Sequence, residues 1–446
     1  MRCAFWLVTV AAVSITAPAA YGEFLLTDAD RVVFYGDRQV APPTFGLQVE
    51  SFVRVRYPKL KTWFLHQRAY PDGTAAEGTA QFDERVATWD PTVVVLCFGQ
   101  DDAGRQALDP ARVEAFGSEM RKLVGQCKAI GANAWLMTPI CPNAAGRPRL
   151  QEIRYDECVG AYAESLRTIG RELQVPVLDW YQATVEYRQT SEGKPRLQLT
   201  TTSGVDPSPR GAAVATELIL EAWKAEPTKF AIRADWSGDL AEVSAGQVTA
   251  NKEDEGTLIL SLKDIPLPWH VADRGPVLAS DWPPARFYEY TLQIENISDP
   301  TVGFVISPVG GGPPDSTKPF MRRMLDEGCD VSYFGPLAVS KAVSDLNGAI
   351  VEKNEWYRRA EEFRRRPVPE PEFEQAYRTQ ALAFRQYADG TANIILRMPR
   401  TMSIDIAVQT SHAAQARRKR ETPPTTLPAE EPSAGETNAV PEKPGR

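Results

Sequence analysis

Residues 92–104 read Thr-Val-Val-Val-Leu-Cys-Phe-Gly-Gln-Asp-Asp-Ala-Gly, and this segment carries the strongest signal for the fold class. The unbroken apolar run from Val93 to Phe98 has the length of a strand rather than of a helix. Such a run is typical of a parallel strand that helices cover on both faces. The glycine and the acidic residues after it end the strand with polar side chains. The stretch therefore predicts an α/β sheet whose binding site lies at the carboxyl end of this strand.

Runs of the same type occur on both sides of this stretch. They occupy residues 31–35, 62–65, 134–137 and 175–178. The segments between them carry apolar residues at helical spacing, as over residues 113–127. Strict alternation of strand and helix predicts right-handed crossovers. We therefore predict a three-layer, flavodoxin-like α/β domain with a parallel five-stranded sheet in the order 2-1-3-4-5.

The amino terminus has the pattern of an export signal. Arg2 gives a positive start, residues 4–17 are almost wholly apolar, and small residues near Gly22 offer a cleavage site. The apolar run is shorter than the roughly 20 residues that span a bilayer. We expect residues 1–22 to be removed and the mature protein to be exported, periplasmic or extracellular, without stable membrane insertion.

The pattern changes near Pro227. Apolar residues alternate with polar ones over residues 258–262, 288–294 and 402–408, which predicts strands with one buried face. Helical spacing at about residues 336–365 predicts one long helix among these strands. We therefore predict a smaller, β-rich second domain that contains a single long helix.

The composition of the carboxyl-terminal segment predicts where the folded part of the chain ends. After about Ser411 the sequence is rich in Pro, Glu, Thr and Ala, with little to bury, so we expect a disordered tail. The predicted segments are a signal peptide at 1–22, an α/β domain at 23–227, a β-rich domain at 228–410 and a tail at 411–446.

The charge of the chain excludes nucleic acid as a partner. The formal net charge is -8, and the one dense basic run, residues 417–420, lies in the predicted tail. A folded surface that neutralises phosphates is therefore missing from the sequence.

Three short motifs occupy the places where a site should form. Two of them follow predicted strands, and the third precedes the last helix of the α/β domain. They are Gly36-Asp37-Arg38, Gly99-Gln100-Asp101-Asp102 and Ser203-Gly204-Val205-Asp206. In this order and spacing, over the α/β domain, they resemble the SGNH, or GDSL-type, hydrolase family. The resemblance implies hydrolysis of carboxylic esters, often of acetylated carbohydrates or lipids, without a cofactor, and we expect none here.

The positions that carry catalysis in that family hold other residues in this chain. Arg38 stands at the position of the nucleophilic Ser, and Asp101 at that of the oxyanion Asn, while Gly99 keeps the family residue. Ser203 stands at the position of the triad Asp, and Asp206 at that of the catalytic His. The resemblance therefore supplies a pocket without the residues that ester hydrolysis needs.

A further block of the family, which supplies a Gly and an Asn, falls by order on residues 64–68. His66 and Arg68 lie in this stretch. With Arg38, they are the side chains that we predict to bind a ligand.

The replacements remove the chemistry of a serine hydrolase. A guanidinium is permanently protonated and cannot act as a nucleophile. A carboxylate at the position of Asp101 repels a developing oxyanion instead of donating to it, and the one at Asp206 is a weak general base. One planar cation can instead bond both carboxylates, so we predict that Arg38 closes the pocket as a charge-compensated plug. Asp37 is interpreted as structural, its carboxylate bonding the backbone of the turn.

Several interpretations of the pocket stay open. A pseudoenzyme that binds an extracellular carbohydrate or ester through Arg38, His66 or Arg68 is the first. An active esterase with a carboxylate nucleophile, Asp37 or Asp206, is the second. A structural cell-envelope protein is the third. Asp37, Asp101, Asp102 and Asp206, together with His66, could also form an oxygen-rich site for a hard cation, but Arg38 already neutralises this cluster, so we predict no metal.

Overall fold

The structure is a computed structural model, and it describes most of the chain. The described residues are 23–40, 45–70, 72–190, 198–269, 287–297, 303–309, 320–330, 341–366 and 370–414. The predicted signal peptide and residues 415–446 of the predicted tail lie outside the described residues.

Five parallel strands form the central sheet. They are β1 (Arg31–Gly36), β2 (Trp63–Arg68), β3 (Val93–Cys97), β4 (Asn133–Met137) and β5 (Val177–Leu178). Their order in the sheet is β2-β1-β3-β4-β5, so the predicted topology is confirmed. Gly36 at the end of β1 is in register with Arg68 of β2 and with Cys97 of β3. The carboxyl ends of these three strands therefore lie side by side.

Helices cover both faces of this sheet. They are α1 (Phe45–Arg56), α2 (Ala75–Arg85), α3 (Gln100–Ala103), α4 (Pro110–Ala129), α5 (Pro148–Glu152), α6 (Tyr155–Leu173), α7 (Trp180–Thr190) and α8 (Pro209–Ala222). Alternate residues of β1 divide between the two faces: Val33 and Tyr35 pack with α2, α4 and α6, whereas Val32 and Phe34 pack with α1, α7 and α8. This period of two explains why the strand is apolar throughout. The three-layer α/β prediction is confirmed.

The second half of the chain is β-rich, as predicted. Its elements are β6 (Thr228–Asp235), β7 (Ala241–Val243), β8 (Gln247–Asp254), β9 (Thr257–Pro266), β10 (Tyr288–Glu295), β11 (Gly303–Pro308), β12 (Phe320–Met321), α9 (Arg322–Glu327), β13 (Cys329–Asp330) and β14 (Thr401–Thr410). They form a four-stranded sheet, β13-β10-β6-β7, and a five-stranded sheet, β12-β11-β14-β9-β8. This region packs on α1, where Trp269 Nε1 donates to Gln48 O at 3.0 Å and the ring meets Phe52 edge-on.

The prediction of a single long helix in this region is wrong. The structure has α10 (Lys341–Arg365) and a second long helix, α11 (Glu374–Arg397), that packs against it. The buried residues of α11 are Ala381, Ala388 and Ile395, one in every seven. Two of the three are alanines, so the buried stripe is narrow and gives a weak apolar signal in the sequence.

Two further observations concern the ends of the fold. Residues 411–414, predicted as the start of the disordered tail, form a helical turn in which Ala414 is buried. Ser411 Oγ fixes this turn by donating to Gly303 O at 2.9 Å. In the part of the chain that the structure describes, none of the helices combines the length and the apolarity needed to cross a membrane.

Candidate functional site

The loops after β1 and β3 and the loop before α8 bring the three motifs together. Arg38 follows β1, Asp101 lies on α3 after β3, and Asp206 lies before α8. The Arg38 guanidinium contacts Asp101 Oδ1 through both Nε and Nη2, and its Nη1 lies 3.9 Å from Asp206 Oδ1. We call these three residues the strand-end cluster. One cation thus contacts both carboxylates in the pocket.

Asp101 is the most enclosed member of the strand-end cluster. Its side chain is 1% exposed, against 35% for Arg38. Besides the guanidinium, it accepts the backbone N–H of Arg38 at 3.2 Å, and Arg68 Nη2 lies 3.5 Å from its Oδ2. Partial burial acts to lower the pKa of Arg38, but the contacts with Asp101 outweigh it, so this pKa lies above its usual value. Arg38 therefore stays a cation.

Asp37 holds the two strand-end turns in place. Its buried carboxylate accepts the N–H of Gln39 at 2.8 Å, of Gln100 at 2.9 Å and of Asp101 at 3.4 Å. Burial raises the pKa of Asp37 well above its usual range, repulsion from Asp101 adds to this, and the backbone donors of Gln39 and Gln100 oppose it. Because its oxygens face backbone donors, Asp37 is engaged in shaping the site.

Ser203 organises the loop before α8. Its Oγ donates to Asp206 Oδ2 at 3.0 Å and accepts the N–H groups of Val205 and Asp206, both at 3.1 Å. Thr201 Oγ1 lies 2.9 Å from the same oxygen. The lone pairs with which a serine would attack a substrate are thus already engaged. On its outer side, Asp206 Oδ2 lies 3.8 Å from Arg105 Nη2.

Two glycines near the strand-end cluster have a positive φ, and one of them lies against Asp101. Gly99, retained from the family motif, has φ +119° at the start of α3. Gly73 has φ +81°, and a Cβ on it would lie 2.4 Å from Asp101 Oδ2 and 3.3 Å from Asp37 Cα. Other residues are strained in this conformation and would collide with Asp101.

Gly73 is the residue that the sequence reasoning missed. The block assigned by order to residues 64–68 lies on strand β2 and reaches the site through Arg68, whereas Gly73 reaches Asp101 from the loop after β2. The assignment stays a prediction, and the signal for Gly73 is Pro71-Asp72-Gly73, a typical turn sequence shortly after the strand.

The three predicted ligand-binding residues fall into two places. Arg38 and Arg68 both contact Asp101. His66 is directed elsewhere: its ring centroid lies 5.3 Å from that of Phe34, and both ring nitrogens are buried without a hydrogen-bond partner. Burial lowers the pKa of His66 to about 4, although Glu50 opposes the shift. His66 and Arg68 line one cavity beside the strand-end cluster.

The acidic residues near the site do not converge as cation ligands would. Asp102 Oδ1 accepts the N–H of Ala75 at the start of α2 at 3.0 Å, and burial raises the pKa of Asp102 to about 7. Within the described ranges, no three His, Cys, Asp or Glu side chains come together as a metal site requires.

The sequence over this part of the fold matches a known family. Residues 49–214 match the model of the GDSL-like Lipase/Acylhydrolase family. These residues form a GDSL-like lipase/acylhydrolase domain. The match ends before the β-rich region, so the GDSL-like assignment covers less than half of the chain. The comparison with curated proteins gives no match.

Solved structures resemble the chain at low sequence identity. A gut microbial diltiazem-metabolizing enzyme is 12% identical with a TM-score of 0.60, and the alignment covers 86% of this chain and 98% of that one. The shared fold thus extends beyond the GDSL-like domain into the carboxyl-terminal half. An acetylxylan esterase from Geobacillus stearothermophilus is 18% identical over 45% of this chain and 96% of its own, with a TM-score of 0.36. An α/β hydrolase enzyme from the metagenome of Lake Arreo, Spain, is 16% identical over 45% and 98%, with a TM-score of 0.38.

Proposed function

We propose that this protein is an exported GDSL-like pseudo-hydrolase, which binds an extracellular carbohydrate or ester ligand without hydrolysing it. The observation that carries the proposal is the position of Arg38. It follows β1, where the family has its nucleophile, and its guanidinium is bonded to Asp101. A protonated guanidinium has no lone pair for attack on a carbonyl carbon.

The surroundings of Arg38 support the same proposal. Hydrolysis requires donors that wait for the developing oxyanion, and each contributes about 10² to 10³ in rate. Here the backbone N–H of Arg38 donates to Asp101 Oδ2 and is not free for a substrate oxygen. A substrate oxyanion at this place would compete with that carboxylate and be repelled by it. The arrangement therefore stabilises the pocket without substrate and not the oxyanion that forms during ester hydrolysis.

Ser203 and Asp206 do not replace the missing triad. Asp206 accepts the Ser203 hydroxyl in the way a base would, at 3.0 Å. Two backbone N–H groups bond the same oxygen, however, and Arg38 and Arg105 flank the carboxylate. The pair therefore serves to fix the loop. The signal pattern of residues 1–22 supports export, and a polysaccharide or ester outside the cell is then the available ligand class.

Ester hydrolysis by the purified full-length chain tests the proposal. We expect p-nitrophenyl acetate and acetylated xylan to be cleaved no faster than by buffer or by the Arg38→Ala variant. Turnover by the native protein that Asp206→Asn or Asp37→Asn abolishes would contradict the proposal and reveal a carboxylate mechanism.

A further inference from the structure

A second cavity lies beside the strand-end cluster, between the end of β2, helix α2 and helix α10. Its volume is about 550 Å³, within the roughly 300–1,000 Å³ range of small-molecule sites. His66 and Arg68 of β2 line it on one side, and Asn354 and Arg365 of α10 on the other. Arg38, Asp101 and Asp206 are not among the lining residues, so the cavity is distinct from the strand-end cluster.

Helix α10 forms this cavity because it covers the edge strand of the sheet. Lys353 Nζ donates to Phe64 O on β2 at 3.1 Å, and Trp63 Nε1 donates to Tyr357 Oη at 2.9 Å. An edge strand presents unpaired backbone groups, and covering them is a common protection. Beyond Phe64, β2 continues to Arg68 and α10 continues to Arg365, and the cavity lies between these two segments.

Several side chains that line this cavity carry buried polar atoms without a hydrogen-bond partner. His66 Nδ1 and Nε2, Asn354 Oδ1, Arg68 Nε, and Arg365 Nε and Nη2 are all buried and make no hydrogen bond. Asn354 is 6% exposed, and its Nδ2 already donates to Ile350 O at 3.0 Å, so only its acceptor is unused. The great majority of buried polar groups in proteins are hydrogen-bonded. Four such side chains around one cavity indicate that a polar ligand completes it.

Ion pairs hold the arginines in place but leave some of their N–H groups without a hydrogen bond. Arg365 Nε lies 3.3 Å from Glu84 Oε1, and its Nη2 lies 3.4 Å from Glu361 Oε2, without hydrogen-bond geometry in either contact. Arg68 stacks over the Tyr70 ring at 5.2 Å. Pre-positioned guanidinium groups with unused donors suit an anionic group.

The mixture of charges specifies the ligand further. Five arginines and three glutamates line the cavity, which leaves an excess of positive charge. The arginines favour an anion, while the glutamates and Asn354 Oδ1 accept hydrogen bonds from hydroxyl groups. A ligand with an anionic group and several hydroxyls satisfies all of these atoms, whereas a purely apolar or a purely anionic one does not.

We infer that this cavity binds an acidic sugar, its carboxylate on Arg68 and Arg365 and a hydroxyl on Asn354 Oδ1, while the nitrogen-bearing edge of the His66 ring packs on Gly46 of α1. The inference deepens the proposed function, and rests on it only for the statement that the bound sugar is not hydrolysed. Binding here makes no use of Arg38 or Asp206.

Titration calorimetry with sodium D-galacturonate, and with neutral D-galactose as the matched ligand, tests the inference on the full-length chain. We expect galacturonate to bind and galactose to bind at least tenfold more weakly. Arg365→Gln should weaken galacturonate binding about tenfold to hundredfold, because a hydrogen bond to a charged group is lost. Asn354→Leu keeps the shape of the side chain but removes the Oδ1 acceptor together with the Nδ2 donation to Ile350 O, and should weaken binding about tenfold.

Arg359→Gln is the matched control for Arg365→Gln. It removes the same charge from the same helix, but Arg359 pairs with Glu355 at 3.1 Å outside the cavity. We expect affinity within twofold of native. Failure of galacturonate to bind the folded native protein, equal binding of galactose, or equal losses in Arg359→Gln and Arg365→Gln would each overturn the inference.

Imidazole resonances give a second readout that does not depend on variant stability. The chain has three histidines, and His66→Gln assigns the signal of His66. Saturating galacturonate should shift this signal and leave the other two in place. An unmoved His66 signal would overturn the inference. Ester turnover by the native protein would contradict the proposed function alone and leave this site standing.

Discussion

Two clusters of ion pairs in this protein differ in their access to water. The first, which we call the interdomain cluster, consists of Glu50 and Arg54 on α1 and Lys353 on α10. Lys353 Nζ donates to the two Glu50 oxygens at 2.6 and 2.7 Å, and Arg54 Nη2 lies 3.5 Å from Oε1. Side-chain exposure is 1% for Lys353 and 0% for Glu50. This cluster is excluded from solvent, and it joins the α/β domain to the carboxyl-terminal region.

The strand-end cluster keeps contact with solvent. Asp101 is enclosed, but Arg38 and Asp206 each keep about a third of their side-chain surface exposed. Charges buried without water are expensive unless paired, whereas half-exposed charges are screened. The strand-end cluster is therefore a charged and partly solvent-exposed group of side chains, not a packed core.

Removal of Lys353 should have the largest effect on stability. Lys353→Met leaves the fully buried Glu50 with only Arg54, at 3.5 Å. We expect the free energy of unfolding, measured with urea, to fall by about 3–5 kcal/mol. The added change Glu50→Gln removes the unpaired charge and should restore more than half of the loss.

Lys341→Met is the matched control for Lys353→Met. Lys341 lies on the same helix and pairs with Asp345, but its side chain is 87% exposed. Exposed pairs contribute about 0–1 kcal/mol. Equal losses in the two variants would contradict the dry interdomain cluster.

Removal of Arg38 should have a smaller effect. Arg38→Met leaves Asp101 enclosed, with Arg68 Nη2 at 3.5 Å as its remaining cation. Because Arg38 itself is partly solvated, we expect a loss of roughly 2–3 kcal/mol in the same urea measurement. Asp101→Asn in the Arg38→Met background should recover much of it. A second change that brings no recovery would show that charge pairing does not hold this site.

Replacement of His66 should have the smallest of the three effects, and this effect should appear in the pH dependence of the free energy of unfolding. Burial lowers the pKa of His66 from 6.5 to about 4, so the unfolded chain takes up the proton first. The stabilising contribution is therefore present above about pH 6.5 and is lost as the pH falls toward 4. Between pH 7 and 5, we expect the native protein to lose about 2 kcal/mol more than His66→Gln. Parallel pH profiles for the two proteins would contradict the buried, neutral imidazole.

The α/β half of the fold was predictable because its signals are local. Buried parallel strands carry continuous apolar runs, as at residues 92–98, and the handedness of crossovers leaves few strand orders. The same logic brought Arg38, Asp101 and Asp206 together, since motifs after parallel strands meet at one edge of the sheet.

The features that could not be predicted depend on contacts between residues that are far apart in the sequence. Glu50 and Lys353 are 303 residues apart, and each resembles an ordinary surface charge in its own helix. His66 was assigned to the catalytic pocket by order alone, and only the position of α10 shows that it lines another cavity. The alanines of α11 can be recognised as buried only when α10 packs against them. In this contact Trp356 of α10 stacks on Phe384 of α11, with ring centroids 5.6 Å apart.

Restoration of the family residues is the strongest test of the proposal that Arg38 closes a hydrolase site. The variant carries Arg38→Ser, Asp101→Asn, Ser203→Asp and Asp206→His, and hydrolysis of p-nitrophenyl acetate is compared with that of the native protein. We predict a silent native protein and a variant at least about 10²-fold faster, because a positioned base and oxyanion donor each supply that factor. A native protein that already turns over the ester, or a folded variant that stays silent, would contradict a hydrolase scaffold closed by Arg38.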